Sequence, residues 1–349
     1  MIRDAIEKVV SGGSLSFSEA AEVMEEVMSG EASPAQIAAF ITALRLKGET
    51  VAEISGLASV MRAKAVPVKV DPPLIDTCGT GGDNTQTFNI STAVALVAAG
   101  AGLRVAKHGN RAMSSRCGSA DVLEALGVKT DLGAEAVAEC IAKVGIGFML
   151  APVFHPAMRF ATAPRREIGI RTVFNILGPL TNPARAEFQV IGVPTRELGE
   201  KTALVLHRLG TKHALVVHGK DGMDEISVTG KSLVWEVNER GLSPPCEVSP
   251  QEFGFREASL KEIRGGTSED NAKILRCALS GEQGPKRDVV VMNAAAALVA
   301  GKEASDLVKG ARLAEEVIDS GQALAKLEAL VRLSQSLNQT EYIGQQDAE

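Results

Sequence analysis

Apolar positions along the first seventy residues recur at the three-and-four spacing of amphipathic helices, and each run carries its own start and stop signals. Ser16 with Glu19 forms a capping box ahead of Val23, Met24, Val27 and Met28, and Gly30 ends the run. Ser33 caps the next, with Pro34 in its first turn and a stripe of Ile37, Phe40, Ile41 and Leu44 that stops at Gly48. Thr50 with Glu53 opens a third, carrying Ile54, Leu57 and Met61. These signals predict a helical subdomain whose apolar faces pack internally or against a second subunit.

Past Pro67 and the Pro72-Pro73 pair the pattern changes to short apolar strands alternating with helical segments. Leu74 to Asp76 precedes a helix from about Ser91; Leu103 to Ala106 precedes another from Ser119 to Leu126. Phe188 to Val193, a helix around Lys201 to Leu209, and Ala214 to Val217 continue the series. Asp288 to Met292 reads as a further strand before the alanine-rich Asn293 to Ala300, and residues 228–237 read as a small antiparallel excursion. The alternation predicts an α/β fold, with a mostly parallel central sheet flanked by helices. No internal repeat or low-complexity linker interrupts it.

Composition changes this picture only by exclusion. Lys and Arg number 37 against 43 Asp and Glu, a net charge of −6, and aromatics make up 3%, which argues against a nucleic-acid binder. The longest apolar stretch, Ala93 to Leu103, falls short of the roughly 20 residues that span a bilayer and reads as a buried helix. The N-terminus lacks the apolar run of a signal peptide. Five scattered cysteines without a CxxC pair point to reduced thiols and a cytoplasmic protein.

Three polar, glycine-rich segments follow expected strands, the place where open α/β sheets gather ligands. The first runs from Asp76 through Gly79-Thr80-Gly81-Gly82-Asp83 to Asn89-Ile90-Ser91-Thr92. Its glycines expose backbone N–H groups and a helix start follows, both suited to phosphate; a tight structural turn explains it equally well. The second, Lys107-His108-Gly109-Asn110-Arg111-Ala112-Met113-Ser114-Ser115-Arg116 with Ser119 beyond, offers three cations, an amide and hydroxyls for a polyphosphate. The competing reading is a solvated basic loop. The third, His218 to Glu225, places Asp224 and Glu225 in a glycine-rich turn, hard oxygen ligands suited to magnesium, although an ordinary acidic turn looks the same. Arg165-Arg166 is suited either to gripping a carboxylate or to facing solvent. The histidines show no metal spacing, and no nucleophile–base arrangement emerges.

Taken together, these segments resemble the anthranilate phosphoribosyltransferase family. The match extends to His155-Pro156-Ala157-Met158, Arg165 and the Phe174 to Pro183 string, in order and spacing, from the N-terminal helices to about residue 335. The Lys107 to Ser115 string is the most specific part. The resemblance implies a helical, dimerising domain (1–70 plus about 165–185) and an α/β domain (71–164 and 186–349), with the site between them. It also implies phosphoribosyl pyrophosphate as donor, anthranilate as acceptor, Mg2+ as cofactor and a homodimer. On that basis Gly79, Gly82, Asp83, Asn89, Ser91, Thr92, Lys107 and Ser119 would hold the donor. Asn110 and Arg165 would hold anthranilate, with Lys107, Asn110 and Arg165 as the catalytic set, and Ser91, Asp224 and Glu225 would serve the metal. Thr87, Ile90, His108, Gly109, Arg111, Ala112, Met113, Ser114, Ser115, Gly178 and Pro179 complete the implied binding set.

Breaking the ribose C1–O bond builds negative charge on departing pyrophosphate, which cations and loop N–H groups would stabilise. A neutral aromatic amine needs little general-base help. The nearest rival is a pyrimidine nucleoside phosphorylase of the same fold; a non-catalytic nucleic-acid-binding relative is a second, which the acidic balance disfavours.

Overall fold

The structure, a computed structural model, describes residues 1–71, 73–112 and 116–346. Four helices open the chain: α1 (Ile2–Val10), α2 (Phe17–Ser29), α3 (Pro34–Lys47) and α4 (Val51–Lys64). The expected capping boxes form at Ser16/Glu19 and Thr50/Glu53, and a third forms at Ser33/Gln36. Gly30 leaves its helix with φ 81°, a left-handed conformation that glycine adopts without a Cβ penalty. Glu53 does more than cap. Fully buried, it accepts from Leu15 N and Thr50 N and meets Lys47 Nζ at 3.0 Å, so one carboxylate ties three segments of the bundle.

Among the described residues, eight strands make one sheet: β1 (Ile75–Gly79), β2 (Val105–Gly109), β3 (Ile146–Leu150), β4 (Phe188–Gly192), β5 (His213–Gly219), β6 (Ser232–Asn238), β7 (Gly241–Leu242) and β8 (Cys246–Val248). Their order is β3-β2-β1-β4-β5-β6-β7, with β8 beside β6. The first five strands run parallel, and β6 to β8 add the antiparallel part. Helix α5 (Ile90–Gly100) is buried at every position except Ser91, and from Ala93 onward its sequence is entirely apolar.

One expected strand is a helix. Asp288 to Met292 lies inside the helix Pro285–Ala300, not on the sheet. Pro285 in its first turn and Asp288 near its start are helix-opening features. The valines after them are buried on all sides, so no amphipathic period marks the turn of the helix. Conversely β3, buried at all five positions, is a strand that the sequence pattern does not mark; Gly145, left-handed at φ 95°, separates it from the preceding helix.

Two apolar cores result. One lies around α5, the Pro285–Ala300 helix and the β1–β3 end of the sheet. The other joins α1–α4 to Phe174, Leu177 and Leu180 and to a sheet face bearing Ile191, Val216 and Trp235. Arg62 of α4 reinforces that join by donating to Leu180 O and Leu209 O. The carboxyl ends of β1, β2 and β5 therefore open onto a cleft bordered by the chain segment 159–180.

Candidate active site

A cleft of about 620 Å³ collects the glycine loop after β1, the start of α5, the loop after β2 and the turn after β5. Gly79, Gly82, Asp83, Thr87, Asn89, Ile90 and Ser91 line it, as do Lys107, His108, Gly109, Asn110, Arg111, Ala112 and Ser119, and Asp224 with Glu225. Thr92 lies buried beneath this lining, 1% exposed. Gly178 and Pro179 sit behind it: Gly178 O is 3.2 Å from His108 Nδ1, and Pro179 O accepts from Gln189. Arg165 is not in the lining; its guanidinium lies 4.9 Å from the centre of the Phe174 ring. Met113, Ser114 and Ser115 fall outside the described residues.

Lys107 comes up β2 and is 2% exposed. Its Nζ donates to Thr77 O at 2.6 Å and to Ser91 Oγ at 3.5 Å. Burial pushes the ammonium pKa down, and the nearby Asp76 carboxylate pulls it back up. Asp76 is itself fully buried; it accepts from His108 N at 3.2 Å and from Asn182 Nδ2 at 2.8 Å. The solvated-loop alternative therefore fails for Lys107 and His108. It holds for Arg111, which is exposed and pairs with Glu124 through both terminal nitrogens.

The acidic turn is no ordinary surface turn either. Asp221 accepts from Met223 N and Ser227 Oγ, folding the chain back so that Asp224 presses on the strand ends. Asn293 clasps Ile226 through both its backbone groups and fixes the position. A Cβ on Gly192 would stand 1.5 Å from Asp224 O, and one on Gly79 would stand 2.2 Å from Asp224 Oδ2. Only glycine permits that approach at either strand end. Asp224 Oδ2 in turn accepts from Gly81 N at 2.8 Å.

Burial, then the neighbouring Asp83 carboxylate, pushes the Asp224 carboxyl pKa up; burial, then Asp224, pushes Glu225 up well above its ordinary value. Crowded, desolvated carboxylates of this kind are short of positive charge, which fits a divalent cation. Among the described residues no group of three His, Cys, Asp or Glu side chains is assembled as a metal cage. The donor set suits magnesium, which takes one or two carboxylates and completes its shell with water and phosphate oxygens.

The neutral histidines form a second feature. Burial and then His155 hold His108 down to about 3, and burial holds His155 down to about 4; the two rings lie 5.1 Å apart.

Three lining elements escaped the sequence reading. Arg171 donates to the carbonyls of Thr80 and Gly81. Asn271, 2% exposed, donates to Asn89 Oδ1 at 3.0 Å and accepts from Gly266 N. The Arg264–Gly266 segment closes over the loop between β1 and α5 through a bridge to Thr87 and a bond from Gly265 N to Gln86 O. Asn271 and Gly266 sit more than 170 residues from the glycine loop, and no local pattern marks them.

Comparison with known proteins agrees with this geometry. Residues 3–65 match the glycosyl transferase family helical bundle domain, and residues 71–324 match the family's a/b domain. An anthranilate phosphoribosyltransferase of Dehalococcoides mccartyi is 57% identical over 338 residues, covering 97% of this chain and 99% of that protein. Another, of Chloroflexus aggregans, is 59% identical over 334 residues, 95% and 98% of the two chains. The crystal structure of the Thermus thermophilus enzyme superposes with a TM-score of 0.89 at 46% identity, over 95% of this chain and 99% of that one. The Saccharomyces cerevisiae enzyme, in complex with PRPP and Mg, gives 0.88 at 29% identity, over 96% and 98%. By sequence over nearly its whole length and by its fold, the chain belongs to the anthranilate phosphoribosyltransferase family.

Proposed function

We propose that the protein transfers the phosphoribosyl group of phosphoribosyl pyrophosphate to the amine of anthranilate, giving N-(5-phosphoribosyl)anthranilate and pyrophosphate, a step of tryptophan biosynthesis. The observation that carries this reading is the meeting, in one cleft, of a glycine loop, a buried lysine and a crowded, half-buried acidic pair. The donor is the ligand of the yeast relative, and a further yeast structure holds 4-fluoroanthranilate, an analogue of the acceptor.

In this account the loop N–H groups and Ser119 hold the donor phosphates, with the start of α5 presenting its positive end. Lys107 faces the departing pyrophosphate. Its buried position strengthens that interaction, since nothing screens it. Asp224, Glu225 and Ser91 would hold magnesium. Bound there, the metal supplies positive charge against the pyrophosphate oxygens. Asn110 and Arg165 orient the acceptor so that its amine lone pair faces C1, and the amine proton leaves to solvent once the new C–N bond has formed. Positioning supplies much of the rate, because the nucleophile is already neutral and reactive. For Arg165 this requires the side chain to reach the acceptor from its place over Phe174.

The division into a bundle (1–70 with about 165–185) and an α/β unit (71–164 and 186–349) is supported by the second apolar core, in which Phe174, Leu177 and Leu180 pack with α1–α4. A homodimer through the bundle is part of the proposal. Val10 and Leu46, the most exposed large apolar side chains among the described residues at 71% and 83%, both lie there. The cytoplasm is the proposed compartment; Cys78, Cys140, Cys246 and Cys277 carry free thiols, and no described helix is long and apolar enough to cross a membrane.

The reading is tested by counting products. One pyrophosphate released for each anthranilate consumed is the expected stoichiometry. Donor breakdown without loss of anthranilate would remove the acceptor assignment.

A further inference from the structure

Arg171 reaches across the cleft from the segment that packs on the helical bundle to the glycine loop of the α/β unit. Its Nη2 donates to Thr80 O at 2.9 Å and to Gly81 O at 2.8 Å. From the other side the Gly81 N–H donates to Asp224 Oδ2 at 2.8 Å. In a trans peptide the C=O and the next N–H point in opposite directions. The peptide joining Thr80 to Gly81 is therefore held at both ends, by a cation on its oxygen and a carboxylate on its nitrogen. The peptide joining Gly81 to Gly82 is held at its oxygen by the same arginine, which turns the Gly82 N–H away from Arg171. A Cβ on Gly82 would stand 2.2 Å from the Arg171 Cζ and Nη1, and Gly82 has φ +83°. Only glycine lets the guanidinium lie this close.

We infer that Arg171 is a positioning residue for the donor: it fixes the two peptides between Thr80 and Gly82, aiming the Gly82 N–H at a phosphate oxygen. The inference rests on the donor reading given above. Both bonds leave one nitrogen, so what singles out the guanidinium is its flat face, which lies against the Gly82 backbone through Cζ, Nη1 and Nε. A lysine keeps the charge and loses that geometry.

The test uses Arg171→Lys and Arg171→Gln in the full-length protein. Equilibrium binding of phosphoribosyl pyrophosphate, with magnesium and without acceptor, is measured by calorimetry, alongside KM for both substrates and the melting temperature. Hydrogen bonds from a charged donor are worth enough that both variants should bind the donor on the order of ten- to a hundredfold more weakly. Anthranilate KM at saturating donor should move less than about threefold, since the acceptor is not bound through these peptides. A lysine variant that binds the donor like wild type would reduce Arg171 to a charge and overturn the inference. So would donor affinity retained in the glutamine variant, or equal weakening for both substrates. A wild-type protein that does not bind the donor would instead overturn the donor reading itself.

Discussion

At the scale of single residues the site is built from groups that ordinary surface chemistry does not explain. Lys107 is a buried cation, and Asp224 and Glu225 are crowded, half-buried carboxyls whose ionised forms are costly unless they serve a ligand or one another. Asp224→Asn should raise the magnesium concentration needed for half-maximal activity, and an unchanged metal titration would contradict the assignment. Arg165→Ala should raise anthranilate KM about tenfold or more, the loss expected for a charge-assisted contact, and leave donor KM nearly unmoved; an unchanged acceptor KM would sink that role. The histidine pair predicts a pH response of the fold. His108 and His155 stay neutral in the folded chain down to about 3 and about 4, whereas unfolded histidine takes its proton near 6.5. The unfolded chain thus binds more protons than the native one between those values, so stability is full above that range and falls with acidification. Each ring should remove about 1 kcal/mol between pH 7 and pH 5.5. Urea denaturation at the two pH values checks this, and the double change His108→Gln/His155→Gln should flatten the slope. A slope that survives in that variant would place the acid sensitivity elsewhere.

At the scale of elements, local chemistry wrote the helical bundle plainly. The caps at Ser16, Ser33 and Thr50 and the stops at Gly30 and Gly48 stand where the structure has them, because capping depends on neighbours within four residues. The α/β part was less legible. A buried run such as Val289-Val290-Val291 carries no period, so helix and strand read alike, and only Pro285 and the length of the alanine-rich continuation favour the helix. The β3 segment, Ile146-Gly147-Phe148-Met149-Leu150, is as apolar and as short of pattern. What sequence could not reveal about Glu53 is its reach to Leu15 and Lys47, since those contacts belong to packing between helices. Glu53→Ala should therefore destabilise the protein by about 3 kcal/mol, as expected for stripping partners from buried donors. Glu19→Ala, in an exposed cap of the same kind, should shift the urea midpoint far less. Equal shifts would mean that Glu53 acts as a cap alone.

At the scale of the whole molecule the cleft is an encounter of distant segments. Its glycine loop, lysine segment and acidic turn could be picked out in sequence because each lies at or just past a strand's carboxyl end and carries an unusual run of polar residues. Arg171, Asn271 and Gly266 could not, because each is an isolated residue whose meaning comes from the carbonyl or amide it meets. Arg165 shows the converse: its motif marks it, yet the structure stacks it on Phe174 outside the lining, so the acceptor role proposed for it would need side-chain movement or cleft closure. The bundle that carries Val10 and Leu46 should also pair two copies, and sedimentation should then report twice the mass of one chain. A single-chain mass at micromolar concentration would contradict the dimer and leave the chemistry untouched.

The most direct test of the account is the decay of anthranilate fluorescence after addition of phosphoribosyl pyrophosphate, followed with and without magnesium. Loss of signal that requires both the donor and the metal is expected. A steady signal under all conditions, with phosphorolysis of a pyrimidine nucleoside in its place, would contradict it.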